Sequence, residues 1–534
     1  MAPHVPRPAA TLILLRPGSG GVETLMIQRA HGAAFLGGAY VFPGGALDAS
    51  DDLASRVRGL DDAQASARLG LDRGGLAYYV AAVRECFEEA GVLLACDVEG
   101  RPISAGRAQA LLPWRARPFA ELLEAEDLYV PGDALAYYGH WITAPGRSRR
   151  FDTRFFLAAA PEGQHGVHDA AETVQHLWVS PREALERGAR GEIELVHATQ
   201  HTLMALAGFS HPRAALEHAM AITEVPANRA CWAQGKDGPR LFRRADPQYF
   251  EIHWSDPEET GQTSYDIVPG VAKRLDRYVA RLTAPNPGAM TGPGTNTYLL
   301  GEEVLAVIDP GPAVDSHIEA LARQPIKLIL CTHTHVDHSP AAARLKAATG
   351  ATVLGRPAPP GQDASFVPDR VLEDGARIEL GTLTLRALHT PGHASNHLCY
   401  LLEQTGMLFT GDHVMQGSTV VINPPDGDMR AYLASLERLL GEEFAIIAPG
   451  HGYLVGEPHR EIRRLIAHRR KREAKVVAAL RRLDAPTLEE MLPLVYDDVP
   501  ARMHGWAARS LAAHLDKLVA DGAARAAAGR FRLA

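Results

Sequence analysis

The sequence predicts several domains of mixed α/β and α+β class, and three observations support this prediction. The 534 residues exceed the length of one typical domain, which is about 100–200 residues. With 46% hydrophobic and 22% charged residues, the composition is ordinary for globular proteins and excludes a disordered or collagen-like chain. Short apolar runs with strand character also alternate with segments of helical periodicity.

Charge and cysteine usage limit the classes of function. The net charge of −8 argues against a protein that binds nucleic acid over its whole surface, and leaves room only for a local basic patch. No apolar run approaches the length of a membrane-spanning helix, so we expect no membrane partner. The 5 cysteines are scattered without a Cys-x-x-Cys pair, which is typical of free thiols in a reducing compartment. We therefore predict a cytoplasmic location.

Four segments differ in character along the chain. Residues 1–225 contain short strand-like runs around one strongly helical segment, 77–90, and are predicted to form the first domain. Residues 226–274 are polar and rich in turns, which indicates a connecting region. In residues 275–455, short apolar runs end in turns that carry His or Asp, as expected of buried strands with a site at their ends. Residues 456–534 are helical and basic, and a capping-box motif and a terminal hairpin predict a small winged-helix-like module.

A cluster of carboxylates marks the first domain. On the helix predicted over 77–90, Glu85, Glu88 and Glu89 occupy positions i, i+3 and i+4 and therefore share one face. Like charges so placed destabilise a helix, and a hard cation such as Mg²⁺ would neutralise them. An acidic helix that simply faces solvent is the alternative interpretation. The upstream turn Phe42-Pro43-Gly44-Gly45 favours the metal-binding interpretation.

This combination resembles the Nudix hydrolase family, in which a glycine-containing turn precedes an Arg-Glu-x-x-Glu-Glu-x-Gly helix. An insertion of about 49–74 separates Gly45 from Arg84 and displaces the usual intervening Glu, for which Asp48 is a partial substitute. Interrupted motifs occur in the coenzyme A diphosphatase branch of that family. The resemblance implies an α/β/α sandwich that hydrolyses a small-molecule diphosphate with Mg or Mn. In that interpretation Glu88 and Glu89 are catalytic, and the metal ligands are Glu85, Glu88 and Glu89.

A second cluster combines imidazoles and carboxylates. The motif His333-Thr-His335-Val-Asp337-His338 places four ligand-type side chains within six residues. Imidazole and carboxylate groups suit zinc and related metals, and four of them exceed what one tetrahedral ion with an open position needs. Three more ligand-type residues follow other apolar runs, namely His393, Asp412 and His451. A lone histidine at a strand end is usually an ordinary turn residue, but seven such residues predict two metal ions that share one carboxylate.

Residues 275–455 resemble the metallo-β-lactamase superfamily, which implies an αββα sandwich with two zinc ions or similar transition metals. Asp309 would orient the ligand loop, and Asp337 is the predicted catalytic residue. The ligands of one ion would be His333, His335, His393 and Asp412. The ligands of the other ion would be Asp337, His338, His451 and Asp412.

The motif Asn286–Thr291 and the tail narrow the resemblance of residues 275–534 to the beta-lactamase-like protein 2 family. That family implies a phosphodiesterase or endoribonuclease on single-stranded RNA, and the basic segment 460–482 would contact phosphates. This segment could equally be a solvated helix face. Two alternatives stay open: a thioester or other small-ester hydrolase coupled to a coenzyme A diphosphatase-like Nudix domain, and a non-catalytic, nucleotide-binding Nudix half that regulates the second site.

Overall fold

A computed structural model describes residues 5–30, 37–166, 173–302 and 305–534. The chain divides into two compact units, Met1–Ala230 and Cys231–Ala534. The domain limits inferred from the sequence stay predictions. None of the described helices combines the length and the apolar character that crossing a membrane requires.

The first unit contains an eight-stranded mixed sheet and a separate two-stranded sheet. Its strands are β1 (Arg7–Gly18), β2 (Gly21–Arg29), β3 (Tyr40–Val41), β4 (Gly44–Ala46), β5 (Val57–Arg58), β6 (Val130–Pro131), β7 (Ala136–Ile142), β8 (Phe151–Ala159), β9 (Thr173–Val179) and β10 (Ala227–Arg229). Its helices are α1 (Asp62–Leu69), α2 (Leu76–Ala90), α3 (Ala105–Ala110), α4 (Phe119–Ala125), α5 (Pro181–Ala189), α6 (His197–Leu206) and α7 (Pro212–Met220). The order of the larger sheet is β10-β7-β8-β1-β2-β3, with β4 added to β1 and β9 added to β2, while β5 and β6 form the smaller sheet.

Strand β1 shows why helices cover both faces of this sheet. Its residues Leu12 and Leu14 point into a core that is shared with α2. The alternate residues Ile13 and Leu15 point into a second core, which is shared with α5, α6 and α7. Successive side chains of a strand point to opposite faces of the sheet. Because β1 is apolar at successive positions, both of its faces are buried. The predicted α/β/α sandwich is therefore confirmed.

The second unit contains two larger sheets. Its strands are β11 (Cys231–Ala233), β12 (Arg240–Phe242), β13 (Ala272–Arg274), β14 (Val279–Thr283), β15 (Asn296–Leu300), β16 (Ala306–Ile308), β17 (Leu328–Leu330), β18 (Thr352–Gly355), β19 (Arg370–Val371), β20 (Arg377–Leu380), β21 (Leu383–His389), β22 (Leu398–Leu402), β23 (Met407–Gly411), β24 (Ile446–Pro449), β25 (Ala524–Ala527) and β26 (Arg530–Leu533). Its helices are α8 (Tyr249–Ser255), α9 (Asp315–Ala322), α10 (Ala341–Thr349), α11 (Met429–Leu439), α12 (Pro458–Arg482), α13 (Leu488–Val495) and α14 (His504–Ala520).

These elements form the predicted αββα sandwich. Strands β13 to β19 make one sheet and β20 to β24 the other, and side chains such as Leu330 and Tyr400 meet in the core between them. Helices α9 and α10 pack on the outer face of the first sheet. Helices α11 and α12 pack on the outer face of the second. Strand β23 is buried along its whole length because one face meets the other sheet and the opposite face meets helices.

The tail forms a small module with its own core. Helices α12, α13 and α14 and the hairpin β25–β26 enclose Val476, Met491 and Leu515. The capping box predicted at the start of α13 is present, since Thr487 Oγ1 accepts from the amide of Glu490 and the Glu490 carboxylate accepts from the amide of Thr487. The winged-helix-like prediction is therefore confirmed.

The basic segment 460–482 lies on α12, and half of its ten cations have acidic partners. The pairs are Arg460 with Glu457, Arg464 with Glu461, Arg470 with Glu437, Arg472 with Asp498 and Lys475 with Asp497. Arg469 and Arg472 are only 2% and 6% exposed, and both donate to backbone carbonyls of neighbouring segments. Much of the positive charge of this segment is thus neutralised or buried, which weakens its interpretation as a surface that binds phosphates.

Replacing Arg470 and replacing Arg472 by alanine should have very different effects on the free energy of unfolding. We expect Arg472→Ala to lower the free energy of unfolding of the second unit by about 1–3 kcal/mol, because it removes buried hydrogen bonds to Val495 and Asp498. Arg470→Ala should change it by less than about 0.5 kcal/mol, since the Arg470 side chain is 67% exposed. Chemical denaturation followed by circular dichroism measures both. Equal effects would contradict the structural role of Arg472.

Candidate metal centres

The ligand-type residues of the second unit lie at the ends of four strands. His333, His335, Asp337 and His338 follow β17, while His393 follows β21, Asp412 follows β23 and His451 follows β24. Strands β23 and β24 are parallel, and β21 runs in the same direction as β23 because each is antiparallel to β22. Their carboxyl ends therefore meet at one edge of the sandwich, and this edge brings all seven predicted ligands together.

The seven residues fall into groups whose ligand atoms lie within 4.8 Å of one another. One group contains His333, His335 and His393, and another contains Asp337, His338 and His451. Asp412 lies between these two groups. Its Oδ1 is 3.5 Å from His338 Nε2 and 3.3 Å from His451 Nε2, while its Oδ2 is 3.8 Å from His393 Nε2. One carboxylate oxygen thus faces each group.

Four of the imidazoles are oriented by a hydrogen bond at Nδ1. The partner of His333 is Thr332 Oγ1 at 3.0 Å, and the partner of His338 is Asp309 Oδ2 at 3.0 Å. The partners of His393 and His451 are the backbone carbonyls of Val421 at 2.8 Å and Gly294 at 3.2 Å. These contacts fix each ring and leave Nε2 directed into the cluster, as is usual for histidines that bind metals.

Asp309 organises the loop that carries the His-x-His motif. The residue follows β16 in a left-handed conformation, with φ of 52°, and is 2% exposed. Its carboxylate accepts from the backbone amide of Thr332 at 2.7 Å and from Thr332 Oγ1 at 2.8 Å, in addition to the contact with His338. The structure therefore places Asp309 where it holds the start of the loop and one ring of the cluster together.

Unsatisfied atoms test whether this donor set fits a divalent metal. Among the described residues, Nε2 of His333, His338 and His451 and Oδ1 of Asp412 are buried and have no hydrogen-bond partner. Leaving such groups unpaired costs about 1–3 kcal/mol each. Neutral imidazole nitrogens and carboxylate oxygens are the donors that zinc-like ions prefer, so the residues present fit the metal.

The electrostatics of the cluster also suit cations. Burial and the neighbouring imidazoles lower the pKa of His333 well below its usual value, and the same causes lower the pKa of His335 to about 4. Both rings are therefore neutral, which is the form that binds metals. Burial also disfavours charge on His451, but Asp412 and Asp337 outweigh it and raise the pKa of His451 to about 9. The carboxylate side of the cluster thus attracts positive charge.

Two further buried histidines, His397 and His413, escaped the sequence interpretation. The ring of His397 stacks on that of His333 at a centroid distance of 5.1 Å, and His413 lies 5.5 Å from His397. Both residues are fully buried behind the ligand cluster. His397 precedes a strand and so lacks the strand-end position that identified the ligands, whereas the only signal for His413 is its adjacency to Asp412.

In the first unit, the three predicted glutamates lie on α2 but do not converge. Arg84 donates to Glu85 Oε1 at 2.8 Å and to Glu88 Oε2 at 2.9 Å, so its guanidinium lies between two of the carboxylates. Glu89 turns away and accepts from the backbone amide of Gly44 at 2.8 Å. Within the described ranges, the oxygens of these glutamates form no group whose atoms all lie within 4.8 Å of one another. Their role as a magnesium ligand set stays a prediction.

Glu85 is held against the glycine turn. A Cβ added at Gly45 would lie 2.5 Å from the carboxylate carbon of Glu85, so only glycine allows this approach. Burial raises the pKa of Glu85 to about 7, against the opposing effect of Arg84. A divalent cation at this carboxylate would compensate its burial.

The insertion contributes a residue that the sequence interpretation missed. Asp51, fully buried in a single 3₁₀ turn, binds Arg84 through two hydrogen bonds of 2.7 and 3.0 Å. Asp48, the expected substitute for the displaced Glu, instead caps that turn by accepting from the amide of Ser50 at 2.8 Å. The turn thus directs Asp51 toward Arg84, while the role of Asp48 as a partial substitute for the displaced Glu stays a prediction.

Comparisons with known proteins match three separate parts of the chain to three family models. Residues 290–451 match the family model of the metallo-beta-lactamase superfamily, residues 72–200 match that of the NUDT19 Nudix domain, and residues 487–530 match that of the beta-lactamase associated winged helix domain.

Three curated relatives match the second half of the chain. Thioesterase pkgB of Emericella nidulans is 33% identical over 240 residues, which cover 43% of this chain and 67% of the relative. Atrochrysone carboxyl ACP thioesterase of Aspergillus chevalieri is 30% identical over 280 residues, which cover 49% of this chain and 86% of the relative. The beta-lactamase-like protein 2 homolog of Drosophila melanogaster is 31% identical over 281 residues, which cover 48% of this chain and 93% of the relative.

Asp51→Asn should impair the metal site of the first unit. Loss of the Asp51 charge frees Arg84 to compete for Glu85 and Glu88, so we expect the affinity for Mn²⁺ to fall by about 10–100-fold. Electron paramagnetic resonance titration of Mn²⁺ into zinc-loaded protein measures this affinity. Asp48→Asn is the matched control and should change it by less than about threefold, since Asp48 acts only as a cap. Equal Mn²⁺ affinities in the wild type and Asp51→Asn would contradict the role of Asp51.

Proposed function

Since this chain belongs to the metallo-β-lactamase superfamily and carries a Nudix domain ahead of that fold, it is a hydrolase, and we propose that its second unit cleaves acyl thioesters with two zinc ions. The observation that carries the proposal is the pair of ligand groups at one edge of the sandwich, with Asp412 facing both. Two ions account for all seven ligand-type residues, whereas one ion would leave several buried polar groups unsatisfied.

The roles of the residues follow from their positions. One ion would be held by His333, His335, His393 and Asp412, and the other by Asp337, His338, His451 and Asp412. Zinc ions bound there lower the pKa of water toward about 7 and polarise a carbonyl group. Asp337 is the catalytic residue of this proposal. Its side chain is 23% exposed, so it meets entering water and substrate, and the neighbouring His338 and His451 keep its pKa below the usual value despite burial. The Asp337 carboxylate can therefore accept a hydrogen bond from water.

Two observations favour a thioester over a phosphodiester. Two of the relatives are named as thioesterases, and their matches span most of their own lengths. The cations of segment 460–482 are largely paired with acids or buried, which leaves less charge for a polyanionic substrate.

A phosphodiesterase or endoribonuclease acting on single-stranded RNA is the second candidate. It is favoured by the similarity to the beta-lactamase-like protein 2 homolog and by the winged-helix module. In that case exposed cations such as Arg463 and Lys471 on α12 would supply the phosphate contacts.

For the first unit we propose Mg- or Mn-dependent hydrolysis of a nucleoside diphosphate-linked small molecule. Glu85, Glu88 and Glu89 would be the metal ligands, and Glu88 and Glu89 the catalytic residues. Arg84 would have to share Glu85 and Glu88 with the cation, which the link from Arg84 to Asp51 permits. A coenzyme A derivative contains both a diphosphate and a thiol that can carry an acyl group, so one such compound would suit both units.

We also propose a cytoplasmic location. All five cysteines are buried and free, which is typical of proteins in a reducing compartment.

Paired substitutions should separate the two activities. We expect His335→Ala to lower the zinc-dependent hydrolysis of an acyl-coenzyme A thioester by at least about 100-fold, because it removes a ligand, and to leave Mg²⁺-dependent cleavage of coenzyme A within about threefold. Glu88→Gln should do the reverse. Initial rates on acyl-coenzyme A, coenzyme A and single-stranded RNA measure both effects.

Other outcomes would decide between the alternatives. Cleavage of RNA without cleavage of thioester would replace the leading function by the second candidate. Loss of the zinc-dependent activity in Glu88→Gln, with its zinc retained, would instead make the Nudix half a regulatory module.

A further inference from the structure

The turn-rich segment before the second sandwich contains a fully buried carboxylate. Residues 231–274, most of the predicted connecting region, fold into β11, β12, α8 and β13 within the second unit. Their small core includes Phe242 and Ile252. Glu251 on α8 is 0% exposed, which is rare for a carboxylate and requires compensation.

Two cations and one backbone amide compensate the charge of Glu251. Its Oε1 accepts from Lys273 Nζ at 2.7 Å and from Arg281 Nη2 at 3.0 Å. Its Oε2 accepts from Arg281 Nη1 at 2.6 Å and from the backbone amide of Leu454 at 3.2 Å. Burial raises the pKa of this carboxyl, but Arg281 and Lys273 lower it below the usual value, so Glu251 is ionised.

The amide of Leu454 belongs to the His451 loop, which we define as residues 451–455. Arg281 Nη1 also contacts this loop, since it donates to the carbonyl of Gly452 at 3.2 Å. The Tyr453 hydroxyl donates to the carbonyl of Tyr265 at 3.0 Å, and the ring of Phe250 leaves no space for a Cβ at Gly456. Residues 250–265 and Arg281 thus hold this loop in place.

Asn296 on β15 contacts the same loop and the two residues before it. Its Nδ2 donates to the carbonyls of Pro449 at 3.1 Å and Gly452 at 2.9 Å. Its backbone amide donates to the carbonyl of Gly450 at 2.8 Å. These contacts leave His451 little freedom to depart from the ligand group that it forms with Asp337 and His338.

We propose that Glu251 is a positioning residue for His451 and that it sets the affinity of the ion bound by Asp337, His338 and His451. The inference deepens the proposed function and rests on it. Glu251 acts through Arg281 and the amide of Leu454, and it touches neither the metal ligands nor the substrate. Contacts of this kind around a ligand commonly change metal affinity by about 10–100-fold when they are lost.

The test is a titration of metal-free, full-length protein with Zn²⁺ against a chromophoric chelator. In wild type we expect two ions, and in Glu251→Gln we expect one of the two ions to lose about 10–100-fold in affinity while the other keeps its affinity within about threefold. Glu251→Asp keeps the charge, and therefore the pairing with Arg281, but its shorter side chain cannot reach the Leu454 amide equally well. It should cause a smaller loss for the same ion, and it tests the inference even if Glu251→Gln does not fold.

Lys273→Met is the matched control for general destabilisation. Lys273 binds the same carboxylate but does not contact the His451 loop, so this variant should lower the thermal midpoint and leave both zinc affinities within about threefold of wild type. A merely structural role of Glu251 would lower the thermal midpoint in the same way, with no selective loss of one ion.

The remaining outcomes separate the inference from the proposed function. Two ions with unchanged affinities in Glu251→Gln and Glu251→Asp would overturn the inference and leave the proposed function intact. An equal loss for both ions would also overturn it. A wild-type protein that binds fewer than two zinc ions would contradict the proposed function and the inference together.

Discussion

The carboxylate of Asp412, which lies between the two ligand groups, sets the constraint on which the second unit depends. Its Oδ1 and the Nε2 atoms of His333, His338 and His451 are buried without a hydrogen-bond partner. Hydrogen bonds at Nδ1 hold four of the five ligand rings, so that Nε2 is aimed inward. The strand ends, the left-handed turn at Asp309 and the contacts of Asn296 all serve this arrangement. Burying a cluster of this kind requires compensation, and a bound cation would supply it.

The two units solve the problem of buried charge in different ways. In the second unit, imidazoles surround the carboxylates, and this set of nitrogen and oxygen donors favours zinc-like ions. In the first unit, Arg84 lies between Glu85 and Glu88 and is itself fixed by Asp51. An all-oxygen set with a resident arginine suits a hard, weakly held cation that arrives with a diphosphate, because the substrate supplies further oxygen ligands. The two donor sets therefore point to separate reactions on one chain.

The parts of the site that were predictable from sequence are those whose signal is local. The spacing from His333 to His338 and the strand-end positions of His393, Asp412 and His451 depend only on neighbouring residues, as does the capping box at Thr487. The αββα sandwich is expected from the family resemblance that these motifs carry.

The unpredicted parts depend on contacts between distant segments. Asp51 meets Arg84 across an insertion, and Glu251 meets Arg281 across several elements, so no spacing rule identifies either pair. The arginines of α12 looked like a phosphate-binding surface because a count of charges does not show which long side chains fold inward, as those of Arg469 and Arg472 do.

Anomalous diffraction at the zinc edge, from crystals of the zinc-loaded protein, tests the central claim most directly. The account predicts two peaks in the second unit, one among the side chains of His333, His335 and His393 and one among those of Asp337, His338 and His451, with Asp412 contacting both. A single peak, or peaks outside these groups, would contradict the dinuclear site and the hydrolytic function proposed for it.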